Sequence, residues 1–564
     1  MTSRPRRIGD IIGETPDWAP HERPMIPGSP STPDMPPQTR VAFGLTGLLL
    51  GVTGGMGTAI LSANLPAIQG AFGLDVRQGA WLGAVYAMFN ISMNLLLIKY
   101  RQQFGLTSFT KVFLALYAVA TLSHLFIGDY PGALAVRAIS GMAGAAMGSL
   151  AVMYMMQCLP PKATLKLPAL LLGLGTTQLA GPIVWIVSPE LLDVGGWRSL
   201  YLLQSGLALA CLAAVQMLRL PPGIRVHVFE WRDAITIVLL GSGLALLVAV
   251  AAVGRVDWWT EAPWVGWALV ACVALLSAGA VHEHYREHPI IDTRWVFSFG
   301  FLNFALSIML ARVLLIEQPF GVTGLVQVVG MGADQTQTLY AVVLAAAVAG
   351  VLFGAFSLMI SNKLLPVQLL LSLVLISVAA FMDSGATADT RPASLFVSQG
   401  LMGFAGALFM GSALVLGLGQ LMARGLGSLI TFAMMFGVTQ TVGGMAGGAA
   451  LATFQTIRTQ HHAAYLADGV VASNPAVAQT LQMYAGAYGS TIADPALRSA
   501  QGVSTLAQQL IQQANILAFN DVFLVIAWGA IALLVLNILM FVNQGLKARS
   551  AATTSDSASG AVAI

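Results

Sequence analysis

Apolar positions in this chain do not alternate with polar ones; they run on. Stretches of about 17 to 28 predominantly apolar residues recur with short polar breaks. Fourteen of them begin roughly at residues 41, 78, 107, 131, 167, 199, 234, 263, 298, 336, 366, 393, 427 and 517. Unpaired backbone groups cannot face hydrocarbon, so each run must be a helix or part of a closed barrel, and long non-alternating runs exclude the barrel. The predicted fold is all-α, a polytopic membrane bundle with 14 transmembrane helices.

Composition agrees: 57% of the 564 residues are hydrophobic and 9% are charged. No G-x-x-x-x-G-K-[ST] loop, nucleophile elbow or H-E-x-x-H occurs, and no cytosolic loop is long enough for a catalytic domain. The segment HEHYREH, with His282, His284 and His288, reads as a solvated helix end in preference to a metal site. A channel, a secondary transporter or a non-transporting scaffold remains, with no cofactor implied.

Placing both termini on one side puts nineteen of the 27 lysines and arginines there, six on the other and two, Arg137 and Arg312, inside spans. That bias fits an even number of helices with both termini cytoplasmic. Residues 1–40, rich in proline and charge, read as a disordered cytosolic tail, and 547–564 as a second one. Residues 456–514 form the long break, an outer hairpin with Ala- and Gln-rich helix-forming segments. Cys158, Cys211 and Cys272 lie in or beside spans and read as packing residues.

Glycines cluster within spans, as GMAGAAMG at 141–148 and GGMAGG at 443–448, where small residues let helices approach closely. Charge inside lipid is costly and faces a bundle interior or cavity. In SIMLARVLLIEQPFG, 307–321, Arg312 lies about 6 Å past the membrane midplane and Glu317 about 7 Å further out. Five residues turn a helix through roughly 500°, so the two side chains point about 140° apart and need separate partners. Pro319 loosens the helix end and lets Glu317 swing inward. Two readings stand: Glu317 titrates while Arg312 holds it or a substrate anion in range, or Glu317 snorkels and Arg312 pairs elsewhere for structure. Arg137, mid-helix, is a candidate for coupling, and Asp521 opens the last span as a cap or a proton carrier. Asn64, Asn90, Asn94, Gln178, Gln399 and Gln440 are candidates for the wall of a substrate cavity.

Spread over the span region, the chain resembles the fourteen-helix drug/proton antiporters of the major facilitator superfamily, in particular the EmrB-like inner-membrane subunits of tripartite multidrug efflux pumps. ILSANLPAIQGAFGLDVRQGAWLGAVYAM (60–88) resembles that family's first and second helices, and RAISGMAGAAMG (137–148) its fourth-helix motif on Arg137 and Gly141. QLAGPIVWIVSPELL (178–192) is similar to the antiporter motif, with Gly181 and Pro182, and is followed by the Trp197–Arg198 pair before helix six. EHPIIDTRWVFSFGFLNF (287–304) and the outer hairpin also match in order and spacing.

The resemblance implies a six-helix bundle over 41–220, inserted helices seven and eight within 221–297, and a second six-helix bundle over 298–546 that includes the hairpin. It also implies alternating access, proton-driven export of amphipathic or aromatic toxic compounds from the bacterial inner membrane, and a periplasmic adaptor and an outer-membrane channel as partners. An uncoupled facilitator or uptake carrier, or a membrane sensor, are the alternatives. The departures fall on coupling residues: Gly57 stands where the family keeps a helix-one aspartate, Gln440 where an arginine precedes a Gly-Gly pair, and Trp185 and Ile186 where glycines are usual. Glu317 is then the candidate for relocated coupling.

Overall fold

The computed structural model describes residues 9–13, 16–24, 26–424, 428–471 and 473–560. Its helices are α1 (Pro37–Phe72), α2 (Val76–Ser123), α3 (Tyr130–Met155), α4 (Lys166–Gln178), α5 (Ala180–Gly195), α6 (Trp197–Met217), α7 (Trp231–Val253), α8 (Pro263–His284) and α9 (Thr293–Val296). They continue as α10 (Phe299–Leu314), α11 (Thr323–Val328), α12 (Ala333–Ile360), α13 (Leu365–Asp383), α14 (Phe396–Arg424), α15 (Leu429–Asp468), α16 (Pro475–Ala487) and α17 (Pro495–Gly560). Among the described residues, twelve helices are long and apolar enough to cross a membrane.

Polar residues punctuate the apolar runs. Gly73, at φ 63°, ends α1 in the left-handed region open to glycine, and Asp75 starts α2 with a reciprocal cap to Gln78. With 48 residues, α2 would extend about 72 Å as one rod, more than twice a hydrocarbon core. It breaks at Gly105, where φ 81° and ψ 168° are not helical.

Two large apolar cores mark the two halves. One joins α1, α2, α3 and α6 through Leu50, Phe109, Tyr117, Met147, Tyr154 and Ala208, and the other joins α10, α13, α14 and α17 through Ala311, Leu373, Ile376, Phe409 and Ile526. The halves meet where Leu171 packs with Ala347 and Val351. Helix α7 sits against α2 and α15, with α8 packed on it: the Ser92 hydroxyl donates to the Gly241 carbonyl at 2.9 Å, and from the loop after α7 the Trp259 ring N–H donates to Thr453 at 2.8 Å.

A buried charge network fixes that attachment. Asp233 accepts from Lys99 and from Arg286 at 2.7 Å each, while Arg286 also bonds Glu230 and Glu283 at 2.8 Å each. Glu283 further accepts from the Ile290 and Ile291 amides, so HEHYREH is pinned at Glu283 and Arg286, while His284, Tyr285, Glu287 and His288 stay exposed, as a solvated helix end would have them. Burial works against the Arg286 charge, and its bonds to Asp233, Glu283 and Glu230 outweigh that and hold it above the ordinary guanidinium range.

The N-terminal segment departs from the expected disorder over its described part. Its backbone pairs with the linker between α6 and α7: Gly9 and Ile12 amides donate to His227 and Arg225, and Gly28 and Ser31 to Ile224 and Pro222. Gln102 and Gln157 donate to the Pro27 and Ser31 carbonyls at 3.3 and 3.1 Å. Ile26 packs with Trp295, Phe301 and Phe432 of the second half. The described residues between 9 and 36 thus form a strap across one end of both halves.

At the opposite end α15 and α17, with 40 and 66 residues, outrun a membrane core and project as a helical hairpin braced by α16. Asp521 is not a helix cap, because α17 already runs from Pro495; it bonds Arg458 at 2.6 Å and His462 at 2.7 Å, tying α17 to α15.

Candidate functional site

Past Leu314 the α-helical ladder of α10 gives way to a π-helical turn, Glu317–Val322, before α11 resumes. Pro319 supplies the cause, since it lacks the amide that an α-helix needs there and its ring clashes with the preceding turn. The wider turn buries the Glu317 side chain completely, at 0% exposure, so it does not snorkel to the surface.

Its neighbour is another acid. The Gln399 side-chain N–H2 of α14 donates to both Glu317 oxygens, at 3.2 and 3.3 Å, and to Asp383 Oδ2 of α13 at 2.7 Å. Ser398 donates to Asp383 Oδ1 at 2.5 Å, and Gln318 donates to the Gln399 carbonyl oxygen at 3.1 Å. No lysine or arginine among the described residues forms an ion pair with either carboxyl. Two acids out of water, joined by one neutral amide, suit a site that holds a proton.

A cavity of about 200 Å³ lies next to this pair, between α1 and α5 on one side and α11 and α12 on the other. Asn64, Trp185, Thr323, Thr336, Gln327 and Tyr340 line it. Trp185 and Tyr340 stack across the two halves, with ring centroids 4.8 Å apart and planes 7° from parallel. The Tyr340 and Thr323 hydroxyls lie 2.8 Å apart, and Thr323 Oγ1 donates to the Gln318 carbonyl at 3.1 Å. Tyr340 and Thr323 thus hold the Gln318 backbone at the cavity edge, and the Gln318 side chain reaches Gln399 beside the acid pair. An apolar cavity of ~150 Å³ takes up benzene, so this volume suits one substituted ring.

The other predicted residues divide. Asn64 belongs to the cavity: Pro66 breaks α1 there, with Asn64 at φ −121° and ψ 20°, and its amide bonds Ser188 at 2.9 Å. Asn90 donates to the Gly141 carbonyl at 3.2 Å and serves helix packing. Asn94 faces Gly437 of α15, Gln178 makes no side-chain hydrogen bond among the described residues, and Gln440 has both amide atoms buried without partners. Pro182 is buried in α5, whereas no atom lies within 4 Å of where a Gly181 side chain would begin. The close approach of α1 instead uses Gly55, whose Cβ would meet the Thr177 carbonyl at 2.8 Å.

Arg137, 3% exposed, forms no ion pair among the described residues. It donates to the Gly57 carbonyl at 2.8 Å and the Leu82 carbonyl at 3.1 Å, and its guanidinium lies 4.5 Å from the centre of the Tyr86 ring. Tyr86 fills the space in front of Gly57, where a Cβ would stand 2.5 Å from its hydroxyl. Arg137 thus holds α1, α2 and α3 together and lies apart from the acid pair. Arg312 forms no ion pair among the described residues, and its buried Nε has no hydrogen-bond partner.

Sequence reasoning missed Asp383, Ser398 and Tyr340. Asp383 ends an apolar run, which reads as an interfacial acid, and only the packing of α13 on α14 turns it inward.

No protein-family model and no curated protein sequence matches the chain. Solved structures do. The nucleoside transporter NupG superposes with a TM-score of 0.50 at 14% identity, over 89% of this chain and 100% of that one. The chain adopts the major facilitator fold. The human organic anion transporter MFSD10 (TETRAN) matches the same fold with a TM-score of 0.51 at 13% identity, over 88% of this chain and 100% of that one. A bacterial homologue of the human drug peptide transporters PepT1 and PepT2 matches with a TM-score of 0.50 at 12% identity, over 90% and 99%. At these identities the likeness establishes the facilitator fold of a multi-pass membrane protein.

Proposed function

We propose that the chain is a proton-coupled secondary transporter that exports amphipathic or aromatic toxic compounds across a bacterial inner membrane. The observation that carries this reading is the buried pair of Glu317 and Asp383 on one Gln399 amide, linked through Tyr340 to an aromatic-walled cavity between the two halves. A proton taken up by the pair neutralises it, and its release at the other face resets the carrier. The missing helix-one acid does not argue for an uncoupled facilitator, since the acid pair replaces it elsewhere.

In this reading the passes number fourteen. The break at Gly105 divides α2 into two crossings, and α15 supplies the other beyond the twelve apolar helices. The strap end is cytoplasmic, both termini lie there, and the hairpin faces the periplasm. A periplasmic adaptor and an outer-membrane channel complete the efflux path from the hairpin side.

The test is transport in proteoliposomes with an imposed pH gradient. Gradient-driven movement of an aromatic probe, lost in Glu317→Gln and in Asp383→Asn while counterflow exchange persists, supports coupling at the pair. Movement that ignores the gradient, or survives both substitutions, refutes it.

A further inference from the structure

Among the described residues the buried charges have partners. Lys99, Asp233, Glu283 and Arg286 satisfy one another, Arg101 donates to the Ser149 hydroxyl at 2.8 Å, and Arg137 uses two carbonyls and a ring face. Arg312, partly buried with its Nε fully enclosed, has none. No described residue forms a hydrogen bond or an ion pair with it, and Glu317, five residues on, is turned away toward Gln399.

What faces Arg312 is a stretch of α15 stripped of side chains. A Cβ on Gly443 would meet Arg312 Cβ at 3.1 Å, and one on Gly444 would come to 3.6 Å from Arg312 Nε. One turn back on that same face is Gln440, whose Nε2 and Oε1 are both buried without a partner. A further turn back, Gly437 lies against Asn94 of α2, whose Nδ2 would be 3.9 Å from a Cβ there. Among the described residues Asn94 also forms no side-chain hydrogen bond.

A guanidinium and a primary amide, both unpartnered, therefore face the same glycine-lined seam between α10 and α15, with a second free amide across it on α2. A buried amide left unsatisfied and a cation without a counter-charge are each unfavourable, and both are satisfied by an oxyanion, which accepts from all three groups. The glycines bring α15 onto α10 at Met309 and Arg312, so that no side chain of α15 stands between its backbone and the Arg312 side chain there.

We propose that Arg312 and Gln440 form the anion subsite of the transporter and that its substrates are amphipathic aromatic anions, carboxylates or sulfonates. Arg312 takes the acidic group, Gln440 and Asn94 donate to its remaining oxygens, and the apolar part extends into the space between the halves. This rests on the transport reading above and names its substrate class.

The experiment measures binding of radiolabelled 1-naphthoate and of tetraphenylphosphonium, an aromatic anion and an aromatic cation, to the full chain in lipid nanodiscs. Wild type is expected to bind the anion at least tenfold more tightly than the cation. Arg312→Gln should weaken naphthoate at least tenfold without changing the cation, Arg312→Lys should recover part of the loss, and Gln440→Leu should weaken naphthoate severalfold. Thermal unfolding profiles identify any variant that misfolds, and Arg312→Lys with Gln440→Leu then decides the matter.

A preference for the cation, failure to bind either probe, or naphthoate binding indifferent to both positions overturns the proposal. Its failure is separable from that of coupling. Gradient-driven cation transport indifferent to Arg312 leaves the coupled exporter standing and removes the anion subsite. Arg312-dependent naphthoate binding with transport that ignores the gradient does the reverse.

Discussion

Restoring the helix-one acid tests why this chain does without it. In Gly57→Asp the new Cβ would stand 2.5 Å from the Tyr86 hydroxyl and 3.0 Å from its ring carbon Cζ, where ordinary contact begins near 3.4 Å. Tyr86 must retreat by about 0.9 Å, yet it is 3% exposed and its backbone lies on Gly141, where a Cβ would be 3.1 Å from Tyr86 Cα. The overpacking cost is about 1–3 kcal/mol. Tyr86→Ala alone costs about 3–5 kcal/mol and strips Arg137 of its ring. Together the two changes remove the clash and set the introduced carboxylate beside Arg137, whose Nη1 already lies 2.8 Å from the residue-57 carbonyl. The double variant should therefore be more stable than the sum of the singles by about 2 kcal/mol or more. Steric-trap unfolding in a fixed detergent gives the three differences. Additivity within about 0.5 kcal/mol would refute the idea that Tyr86 occupies the place of the acid.

Other outcomes follow from the same contacts. Gln399→Leu removes the side-chain donor that Glu317 and Asp383 share, and gradient-driven transport should fall at least tenfold in proteoliposomes, with Gln399→Asn retaining more than Gln399→Leu. Asp233→Ala leaves Lys99 and Arg286 without their common acid and should lower unfolding free energy by about 3–5 kcal/mol, read by the same steric-trap method. Trp185→Ala opens the stack on Tyr340 and should widen the range of ring sizes transported, seen as a changed inhibitor profile, while Trp185→Phe keeps it. Deleting residues 2–33 removes the strap with its contacts to Gln102 and to the Phe301 cluster and should lower unfolding free energy in the same steric-trap measurement, whereas unchanged stability would show that it restrains nothing.

The helices were legible because a membrane span announces itself by length and apolarity alone, and the break at Gly105 falls between two of the expected runs. Glu317 was legible as a charge in the wrong solvent, and the angle of 140° correctly separated it from Arg312. Its partner was not, because Asp383 is distant in sequence and stands at a helix end where acids are ordinary. The strap escaped for the opposite reason. A segment rich in proline offers no periodicity, so its order comes from pairing with the 222–227 linker, a non-local match that no single stretch displays.

One consequence joins the two halves of the proposed mechanism. Arg312 and Glu317 sit on one continuous element, Arg312 against the glycines of α15 and Glu317 against Gln399 of α14, with the π turn beginning at Glu317 itself. A π turn carries one residue more than the α-helix around it, so its migration along the chain rotates the residues it passes by about 100° relative to the helix on either side. Shifting it toward Arg312 would leave Glu317 in an α-helical register and turn it off Gln399, exposing the acid pair. An anion at Arg312 then changes that equilibrium only through contacts that differ between the two registers. Coupling between substrate and proton is thus reduced to a local question, whether Arg312 keeps its seat against Gly443 and Gly444 when Glu317 leaves Gln399.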